Sequence, residues 1–260
     1  QWDIALWRWG FQFLSQCTQK KMRDNTLRKY RLNIYSQKLL HQLIEETGIR
    51  YHQNRGGLIY IFRNPDSYRE GQEKLTLLQP VMKNTQLLNC AELLKLEPAL
   101  QHSETQISGG IFCPTDESGS CRDFTFQLSE ICRNKGVDFH FDTTVTEIIT
   151  NGRKIDKVVS DKGDFQADEY VLSFASYSSK FSKMVGDYLP IYPVKGYSFT
   201  VPIIDRNKAP TFGGIDEDNL LAFSLMGDHI RFTSVAEISG YNTTYTPSDF
   251  INMVELANSL

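Results

Sequence analysis

The amino end of the chain carries apolar residues at helical spacing. They form one stripe, at Trp2, Leu6, Trp9 and Phe13. No start signal precedes this helix, and residues 20–31 after it are rich in lysine and arginine. Such a segment has two interpretations. It is either a core helix followed by a solvated basic face, or an aromatic helix that lies on an anionic membrane surface. We expect a core helix and keep the membrane surface as the alternative.

The next part of the chain is predicted to be mainly helical. A helix that begins at Asp24 or Asn25 ends at Gly48, because glycine readily adopts the left-handed conformation that stops a helix. An apolar run opened by two glycines predicts a buried strand at 58–62. Two further helices are predicted, at 66–82 and 91–96.

Strands and helices alternate in the middle of the chain. Ser120 and Asp123 form an S-x-x-D capping box that begins a helix, and Gly136 ends it. Asn151-Gly152 is a strong hairpin-turn sequence. The predicted strands lie at 111–113, 137–141, 145–150, 155–160 and 170–174.

The last of these strands has the most informative context. Residues 170–174 are a continuous apolar run that passes through Ala175 and Ser176 into a predicted helix at 179–185. A buried strand followed by a small-residue turn and a helix is typical of a nucleotide-binding sheet.

The last third of the chain predicts hairpins. Gly227-Asp228 is a two-residue turn between strands, which indicates an antiparallel sheet. The strands are predicted at 197–202, 220–225 and 229–237. A final helix begins at Pro247 and reaches the last residue without a cap. From pattern alone we expect an α+β protein that begins and ends inside a longer fold.

Composition narrows the possible partners. The 28 basic and 31 acidic residues give a net charge of −3, which is a poor platform for a polyanion, so we expect no nucleic-acid partner. No segment has the length of a spanning helix or the pattern of a signal peptide, so we expect a cytoplasmic chain. The five cysteines and five histidines are scattered, which predicts neither a disulfide framework nor a metal site.

Side-chain chemistry alone predicts no reaction. The chain has no P-loop, no G-x-S-x-G, no catalytic triad and no G-x-G-x-x-G. Cys113 and Cys121 are interpreted as small buried side chains in preference to nucleophiles. Asp116 and Glu117 lie in a Pro-x-Asp-Glu-x-Gly loop, where turn hydrogen bonds are favoured over an acid pair.

Four motifs in order nevertheless carry a resemblance. They are GGIFCPTDESGSCRDFT at 109–125, LSFASYS at 172–178, YPVKGYSFTVP at 192–202 and IRFTSVAEISGYNT at 230–243. In these segments the chain resembles the glycine oxidase and D-amino acid oxidase superfamily of flavoproteins. The resemblance is greatest to bacterial FAD-dependent D-amino acid dehydrogenases of the small-subunit type, and it extends from about Trp9 to the end.

The resemblance implies a fold class and a reaction. The fold would be α/β plus α+β, with a partial FAD-binding Rossmann-like domain and an antiparallel β-sheet substrate domain. The substrate domain would take most of 1–105 and 188–260, and the FAD-binding remainder most of 106–187. The reaction would oxidise the C–N bond of a D-amino acid such as D-alanine, giving a 2-oxo acid and ammonia. A dehydrogenase would pass electrons to a quinone or another electron-transfer acceptor, with peripheral contact to the inner membrane as an option.

The resemblance also implies positions for the cofactor and the substrate. The FAD-contacting positions would be the strand residue Val145 and the turn residues Ser173, Phe174, Ala175 and Ser176. Relatives carry glycine in this turn where the chain has Ala175. Four positions in the substrate sheet would contact the substrate: Lys195, Tyr197, Leu221 and Phe223.

Alternatives stay open at three of the substrate positions. Lys195 is either a site residue or an exposed strand lysine, and Tyr197 either a pocket residue or a packed ring. Leu221 stands at or beside the position where oxidase relatives supply a tyrosine. No catalytic side chain is assigned, since in this chemistry the flavin accepts the hydride and the protein orients the substrate.

The family's phosphate-binding turn and its substrate-clamping arginine would lie before residue 1 and beyond residue 260. We therefore expect a fragment of a larger enzyme that is inactive alone and does not retain FAD. The alternatives are an oxidase for glycine or sarcosine and a non-catalytic binding module on the same scaffold.

Overall fold

A computed structural model describes residues 3–78, 84–103 and 106–260. The chain divides into two compact units. Unit 1 comprises Gln1–Met22, Arg133–Lys195 and Ile238–Asn242, and unit 2 comprises Arg23–Cys132, Gly196–Glu237 and Thr243–Leu260.

Seven α-helices and four short 3-10 turns are formed by the described residues. The helices are α1 (Ile4–Leu14), α2 (Gln19–Thr47), α3 (Pro65–Leu78), α4 (Cys90–Leu96), α5 (Cys121–Asn134), α6 (Ser178–Ser182) and α7 (Ile251–Asn258). The 3-10 turns are Pro98–His102, Ala175–Tyr177, Lys183–Val185 and Pro247–Phe250.

Ten strands form two sheets in the described part of the chain. Seven belong to the large sheet: β1 (Leu58–Phe62), β2 (Gln86–Asn89), β3 (Gly109–Cys113), β7 (Lys195–Pro202), β8 (Gly213–Asp216), β9 (Leu221–Met226) and β10 (His229–Glu237). Three form the small sheet: β4 (Val145–Asn151), β5 (Lys154–Ser160) and β6 (Gly163–Phe165).

The large sheet is mixed. Its order is β2-β3-β1-β8-β9-β10-β7. The pairs β2–β3, β1–β3, β8–β9 and β9–β10 are antiparallel, and β9–β10 is the hairpin that Gly227-Asp228 predicts. The central pair β1–β8 is parallel, with Leu58 opposite Gly213. The predicted antiparallel sheet therefore contains one parallel pair, because two strands that are distant along the chain are free to pair in either direction.

One face of the large sheet packs against helices. Strands β1 and β9 contribute Ile59, Ile61 and Leu221, each at most 1% exposed. Leu93 of α4 and Met253 of α7 pack in the same core and are equally buried. Complete burial of side chains this size is worth about 1.5–3 kcal/mol each, so this core contributes to the stability of unit 2.

The small sheet in unit 1 is the predicted β-meander. β4 and β5 pair antiparallel, with Asn151 opposite Lys154. Gly152 in the turn between them has a φ of +62°, a conformation that glycine adopts without strain. Predicted boundaries at this hairpin are within one residue of those in the structure.

Two predicted strands are absent from the structure. Residues 137–141 and 170–174, all described, form no strand. Their apolar side chains are exposed, including Phe141 at 61% and Val171 at 87%. An apolar run becomes a buried strand only where neighbouring strands supply backbone partners, and no described strand pairs with either segment.

Two predictions near the amino end also need correction. α1 was expected to be a core helix, but none of its residues is buried. Trp9 packs instead against Phe13 and Tyr192 within unit 1, and Trp2 lies outside the described residues. α2 begins at Gln19, before the predicted caps, and ends before Gly48 as predicted. The predicted helix at 66–82 is described only as far as residue 78.

The two units do not follow the predicted boundaries at 105 and 187. β3 lies in the large sheet because it bonds to β1 on one edge and to β2 on the other. Most of α5 also belongs to unit 2, and α1 belongs to unit 1. Assignment of FAD to one unit and substrate to the other stays a prediction.

Candidate functional site

The turn before α6 holds one residue in a strained conformation. Ala175 has a φ of +46°, which is the left-handed region that favours glycine. This is the position where the resembling flavoproteins carry glycine. The backbone therefore keeps the glycine-type bend, and the methyl group of alanine is accommodated at a conformational cost.

Hydrogen bonds hold this turn within unit 1. The Phe174 N–H donates to Ser178 Oγ at 3.1 Å, and the Tyr241 hydroxyl donates to the Ser176 carbonyl at 3.0 Å. The Lys180 ammonium lies 3.6 Å from the centre of the Tyr241 ring. Segment 238–242 thus braces the turn for which the family resemblance predicts a cofactor role.

Val145, the other predicted cofactor residue, begins β4. It pairs with Ser160, next to a register shift between Val145 and Glu147. β4 also contacts the Lys183–Val185 turn that follows α6. The structure thereby places the strand of Val145 close to the helical segment after the predicted phosphate turn, within one unit.

The predicted substrate positions occupy different environments. Leu221 and Phe223 are 1% and 2% exposed and pack in the core of unit 2. Tyr197 is also buried, donates its hydroxyl to Glu237 and packs its ring at the edge of Phe250. Lys195 is the half-buried first residue of β7. Packing is the observed role of the first three side chains, and substrate contact stays a prediction for all four.

A cleft lies on the opposite face of β9 and β10. Its volume is about 290 Å³, and its lining includes Arg122, Ser224, Arg231 and Thr233. Leu221 and Phe223 point into the core, so the alternate residue Ser224 faces this cleft. This cleft was not predicted, because alternation along β9 separates the two faces of the strand without indicating which of them the helices cover.

The loop before α5 forms a second polar cluster in unit 2. Glu117 accepts from Gln53 Nε2 at 2.5 Å and lies 2.7 Å from His41 Nε2. Asp116 accepts from the Tyr60 hydroxyl at 3.3 Å, and burial raises the pKa of Asp116. The two carboxylates thus accept hydrogen bonds from side chains outside the loop, and among the described residues neither carboxylate is bonded to the turn itself.

Cys113 lies beside this cluster and Cys121 begins α5. Burial and the nearby Asp116 raise the pKa of the Cys113 thiol to about 11. This agrees with the interpretation of Cys113 as a buried structural side chain, whereas Cys121 is exposed. Among the described residues, no group of histidine, cysteine, aspartate and glutamate is suited to hold a metal ion.

The sequence matches the DAO family, FAD dependent oxidoreductase, over residues 6–260. The chain belongs to the DAO family.

Its relatives in this family include D-amino acid dehydrogenases. D-amino acid dehydrogenase 2 of Mesorhizobium japonicum is 36% identical over all of this chain and 63% of its own length. The D-amino acid dehydrogenase of Granulibacter bethesdensis is 37% identical over 93% of this chain and 58% of its own length. The chain therefore spans about three fifths of the curated relatives it matches.

Solved structures support the DAO fold. Glycine oxidase from Geobacillus kaustophilus matches with a TM-score of 0.77 at 19% identity, covering 90% of this chain and 61% of its own. L-proline dehydrogenase from P. horikoshii matches with a TM-score of 0.70 at 15% identity, covering 85% of this chain and 59% of its own. The predicted fold class is confirmed.

DAO proteins use FAD, and the turn before α6 fits part of that cofactor. Ala175 supplies the glycine-type bend, and Ser173 and Ser176 supply hydroxyl groups. Residues 172–179 include no acidic side chain, so a bound phosphate group would meet no like charge from this segment. These residues are chemically suited to a phosphate of FAD.

Proposed function

We propose that the chain is part of an FAD-dependent D-amino acid dehydrogenase. The observation that carries the proposal is the 36% identity over the whole chain to a protein of that name. The left-handed Ala175 turn, a feature of unit 1 itself, supports the same assignment. The substrate is a D-amino acid such as D-alanine, and the products are a 2-oxo acid and ammonia.

FAD, when bound, supplies the acceptor for the hydride that leaves the substrate α-carbon. The residues of this chain position the two reactants. Val145 and the Ser173–Ser176 turn would hold the cofactor through backbone groups and hydroxyls. The substrate side is assigned to Lys195 and Tyr197 on β7 and to Leu221 and Phe223 on β9. Loss of the hydride and of a proton from the ammonium group would leave an iminium ion, which water hydrolyses to the 2-oxo acid and ammonia.

The cofactor role of the turn can be tested with a charge. Ala175→Asp places a carboxylate in the turn, and aspartate tolerates the left-handed conformation better than most residues. In the full-length protein that contains this chain, flavin content is expected to fall strongly, since the carboxylate repels the phosphates. Ala167→Asp, on an exposed loop of the same unit, is the matched control and should keep its flavin. Equal flavin content in both variants would contradict the role of the turn.

The reaction is tested by electron-acceptor assays on the same full-length protein. Reduction of a quinone or dye with D-alanine, without oxygen consumption, is the expected result. Rapid oxygen consumption with glycine or sarcosine would assign the protein to the amine oxidases instead. Tight flavin binding without turnover of any amino acid would favour a non-catalytic binding module. The 260-residue chain alone is expected to purify without stoichiometric flavin and without activity.

Electron transfer to a membrane quinone would place the protein at the inner membrane, on its cytoplasmic side. α1 is suited to peripheral contact, because Ile4, Phe11 and Leu14 lie at helical spacing and are 82%, 67% and 65% exposed. Exposed Lys20 and Lys21 follow in the same unit and would attract anionic lipid. In the described part of the chain no helix has the length and hydrophobicity to span a bilayer.

Vesicle cosedimentation tests this contact. The full-length protein should bind vesicles that contain phosphatidylglycerol. Phe11→Asp should weaken the binding, because it puts a charge among the exposed apolar side chains of α1. Phe126→Asp on α5, where the ring is 66% exposed, is the matched control and should bind like the unmodified protein. Binding that is unchanged by Phe11→Asp would rule out α1 as the membrane contact.

A further inference from the structure

A cavity lies between α3 and the large sheet, within unit 2. It is on the face of β1 and β3 that is opposite to the core residues Ile59 and Ile61, and its wall includes Phe62, Leu75 and Ile111. Its volume of about 230 Å³ corresponds to roughly eight water molecules at about 30 Å³ each. Voids larger than one water molecule are few in protein interiors, so a cavity of this size beside packed apolar side chains is a candidate binding site.

Two opposite charges border this cavity. Lys74 belongs to α3 and Glu217 follows β8, and they are the only charged side chains among its described lining residues. Within the described part of the chain, neither forms an ion pair with another residue. The cavity therefore presents one ammonium group and one carboxylate group that are both available to a ligand.

The Glu217 carboxylate lies close to the aromatic wall of the cavity, which Tyr60 provides. Burial raises the pKa of the Tyr60 hydroxyl, and the negative charges of Asp116 and Glu217 raise it further. Because such an effect falls with distance, the half-buried Glu217 carboxylate is near the Tyr60 ring. A cationic group of a ligand in the cavity would meet both the carboxylate and the ring.

This combination suits a free amino acid. At neutral pH an amino acid carries an ammonium and a carboxylate on one carbon, so a single small molecule can pair with Glu217 and Lys74 at once. Phe62, Leu75 and Ile111 would contact an apolar side chain. Drug-sized ligands occupy pockets of about 300–1,000 Å³, so a cavity of about 230 Å³ favours a molecule of amino-acid size.

We propose that the cavity between α3 and the large sheet binds a free amino acid with an apolar side chain, such as leucine. Its ammonium group pairs with Glu217 and its carboxylate with Lys74. The inference does not rest on the proposed reaction, because it needs neither FAD nor turnover. Binding links α3 to the segment that follows β8 and should therefore stabilise unit 2 against unfolding.

Calorimetric titration with three ligands tests the charge requirement. L-Leucine is titrated into the full-length protein that contains this chain, because a dehydrogenase for D-amino acids does not consume it. Saturable binding is expected. 4-Methylpentanoate, which lacks the ammonium group, should bind roughly tenfold or more weakly, because it loses the charge-assisted bond to Glu217. 3-Methylbutylamine, which lacks the carboxylate, should bind about two- to fivefold more weakly, because Lys74 is exposed. Equal affinity for all three ligands, or no binding of leucine, would overturn the proposal.

Substitutions locate the bound leucine. Glu217→Gln should weaken binding roughly 10- to 100-fold, and Lys74→Gln by about two- to fivefold. Glu73→Gln and Lys95→Gln remove the same charges at exposed positions of α3 and α4 and should bind leucine like the unmodified protein.

A larger side chain provides a test that does not involve charge. Leu75→Trp fills the cavity from α3 and should abolish leucine binding, whereas Thr76→Trp, at an exposed position of the same helix, should not. Urea unfolding shows whether each variant is folded, and Glu217→Gln decides the case if Leu75→Trp is not. Leucine binding that is unchanged in Glu217→Gln and in folded Leu75→Trp would place the ligand elsewhere and overturn the proposal. Oxidation of D-alanine, assayed in parallel, reports on the proposed reaction separately.

Discussion

The Tyr192 hydroxyl donates to the Asp3 carboxylate at 2.7 Å, within unit 1. Asp3 also caps α1 by accepting from the backbone N–H groups of Ala5 and Leu6, at 2.9 and 3.2 Å. One carboxylate therefore both starts the helix and attaches it to the segment that precedes β7.

The hydrogen bond between them should move the pKa values of the two groups apart. The hydrogen bond from Tyr192 and the helix cap lower the pKa of Asp3 below 3.8, and the same bond raises the pKa of Tyr192 to about 12. The contribution of Asp3 to stability is present above its unfolded pKa and lost as the pH falls through its lower folded pKa. The contribution of Tyr192 is present below pH 10 and lost as the pH rises toward 12.

The measurement is an NMR titration of the Tyr192 ring. In Asp3→Asn the pKa of Tyr192 should return toward 10, because the neutral amide no longer favours the protonated hydroxyl. Tyr188, on the same segment, serves as the internal control. A Tyr192 pKa near 12 in Asp3→Asn would show that the carboxylate is not the cause of the shift.

Ala175→Gly should stabilise unit 1. An L-residue in the left-handed region costs about 1–2 kcal/mol, and glycine loses roughly 0.5–1 kcal/mol of that gain through the greater freedom of its unfolded chain. A net gain of about 0.5–1 kcal/mol in the free energy of unfolding is expected. Urea unfolding measures it, with Ala167→Gly as a control that should lose stability. Destabilisation of Ala175→Gly would mean that the turn does not hold alanine at positive φ.

Glu97 provides a prediction for unit 2. This side chain is 1% exposed and accepts from the backbone N–H groups of Thr211 and Phe212 at 2.6 and 3.0 Å. Glu97→Ala leaves both donors without their acceptor and should lower the free energy of unfolding by about 2–3 kcal/mol. Glu97→Gln keeps one acceptor oxygen and should cost roughly 1 kcal/mol.

Urea unfolding of both Glu97 variants checks this order. Glu73→Ala, on the exposed face of α3 in the same unit, is the control and should change the free energy of unfolding by less than about 0.5 kcal/mol. Equal stability of Glu97→Ala and Glu97→Gln would contradict the role of the carboxylate as a backbone acceptor.

Cys113 should resist alkylation. Its pKa of about 11, raised from 9.0 by burial and by Asp116, lowers the thiolate fraction near pH 8 by about 100-fold relative to an ordinary thiol. Iodoacetamide followed by peptide mass spectrometry should modify exposed Cys17 and Cys121 well before Cys113. In urea Cys113 should react like the others, and early modification in the native protein would disprove its burial.

Much of the fold could be predicted where local sequence decides the structure. The β4–β5 hairpin follows from Asn151-Gly152, and α5 from the capping box, whose Asp123 N–H donates to Ser120 Oγ at 3.2 Å. β2 and β8 were missed, because each has four residues and gains its stability from partners far along the chain. The strand predicted at 170–174 is absent from the structure. Its residues are apolar enough for a buried strand, but no described strand pairs with them.

The candidate site was predictable only in part. The turn at Ala175 could be located, because small residues after an apolar run indicate a tight bend. The arginine cleft could not, since alternation along β9 divides its residues into two faces without indicating which face the helices cover. Only the packing of Leu221 against Leu93 and Met253 identifies the covered face and leaves Ser224 and Arg231 on the other.

The parallel pairing of β1 with β8 imposes an order of events during synthesis. β1 and β3 can pair early, but the other edge of β1 has no partner until residues 213–216 have left the ribosome, after the whole 133–195 segment of unit 1. Until then the nascent chain presents an apolar strand edge, which is prone to pairing with other chains. The segments Gln1–Met22 and Arg133–Lys195 of unit 1 are already synthesised during this interval, whereas its last segment, Ile238–Asn242, follows β10. We therefore expect both units to reach their final structure only after the last quarter of the chain has been made.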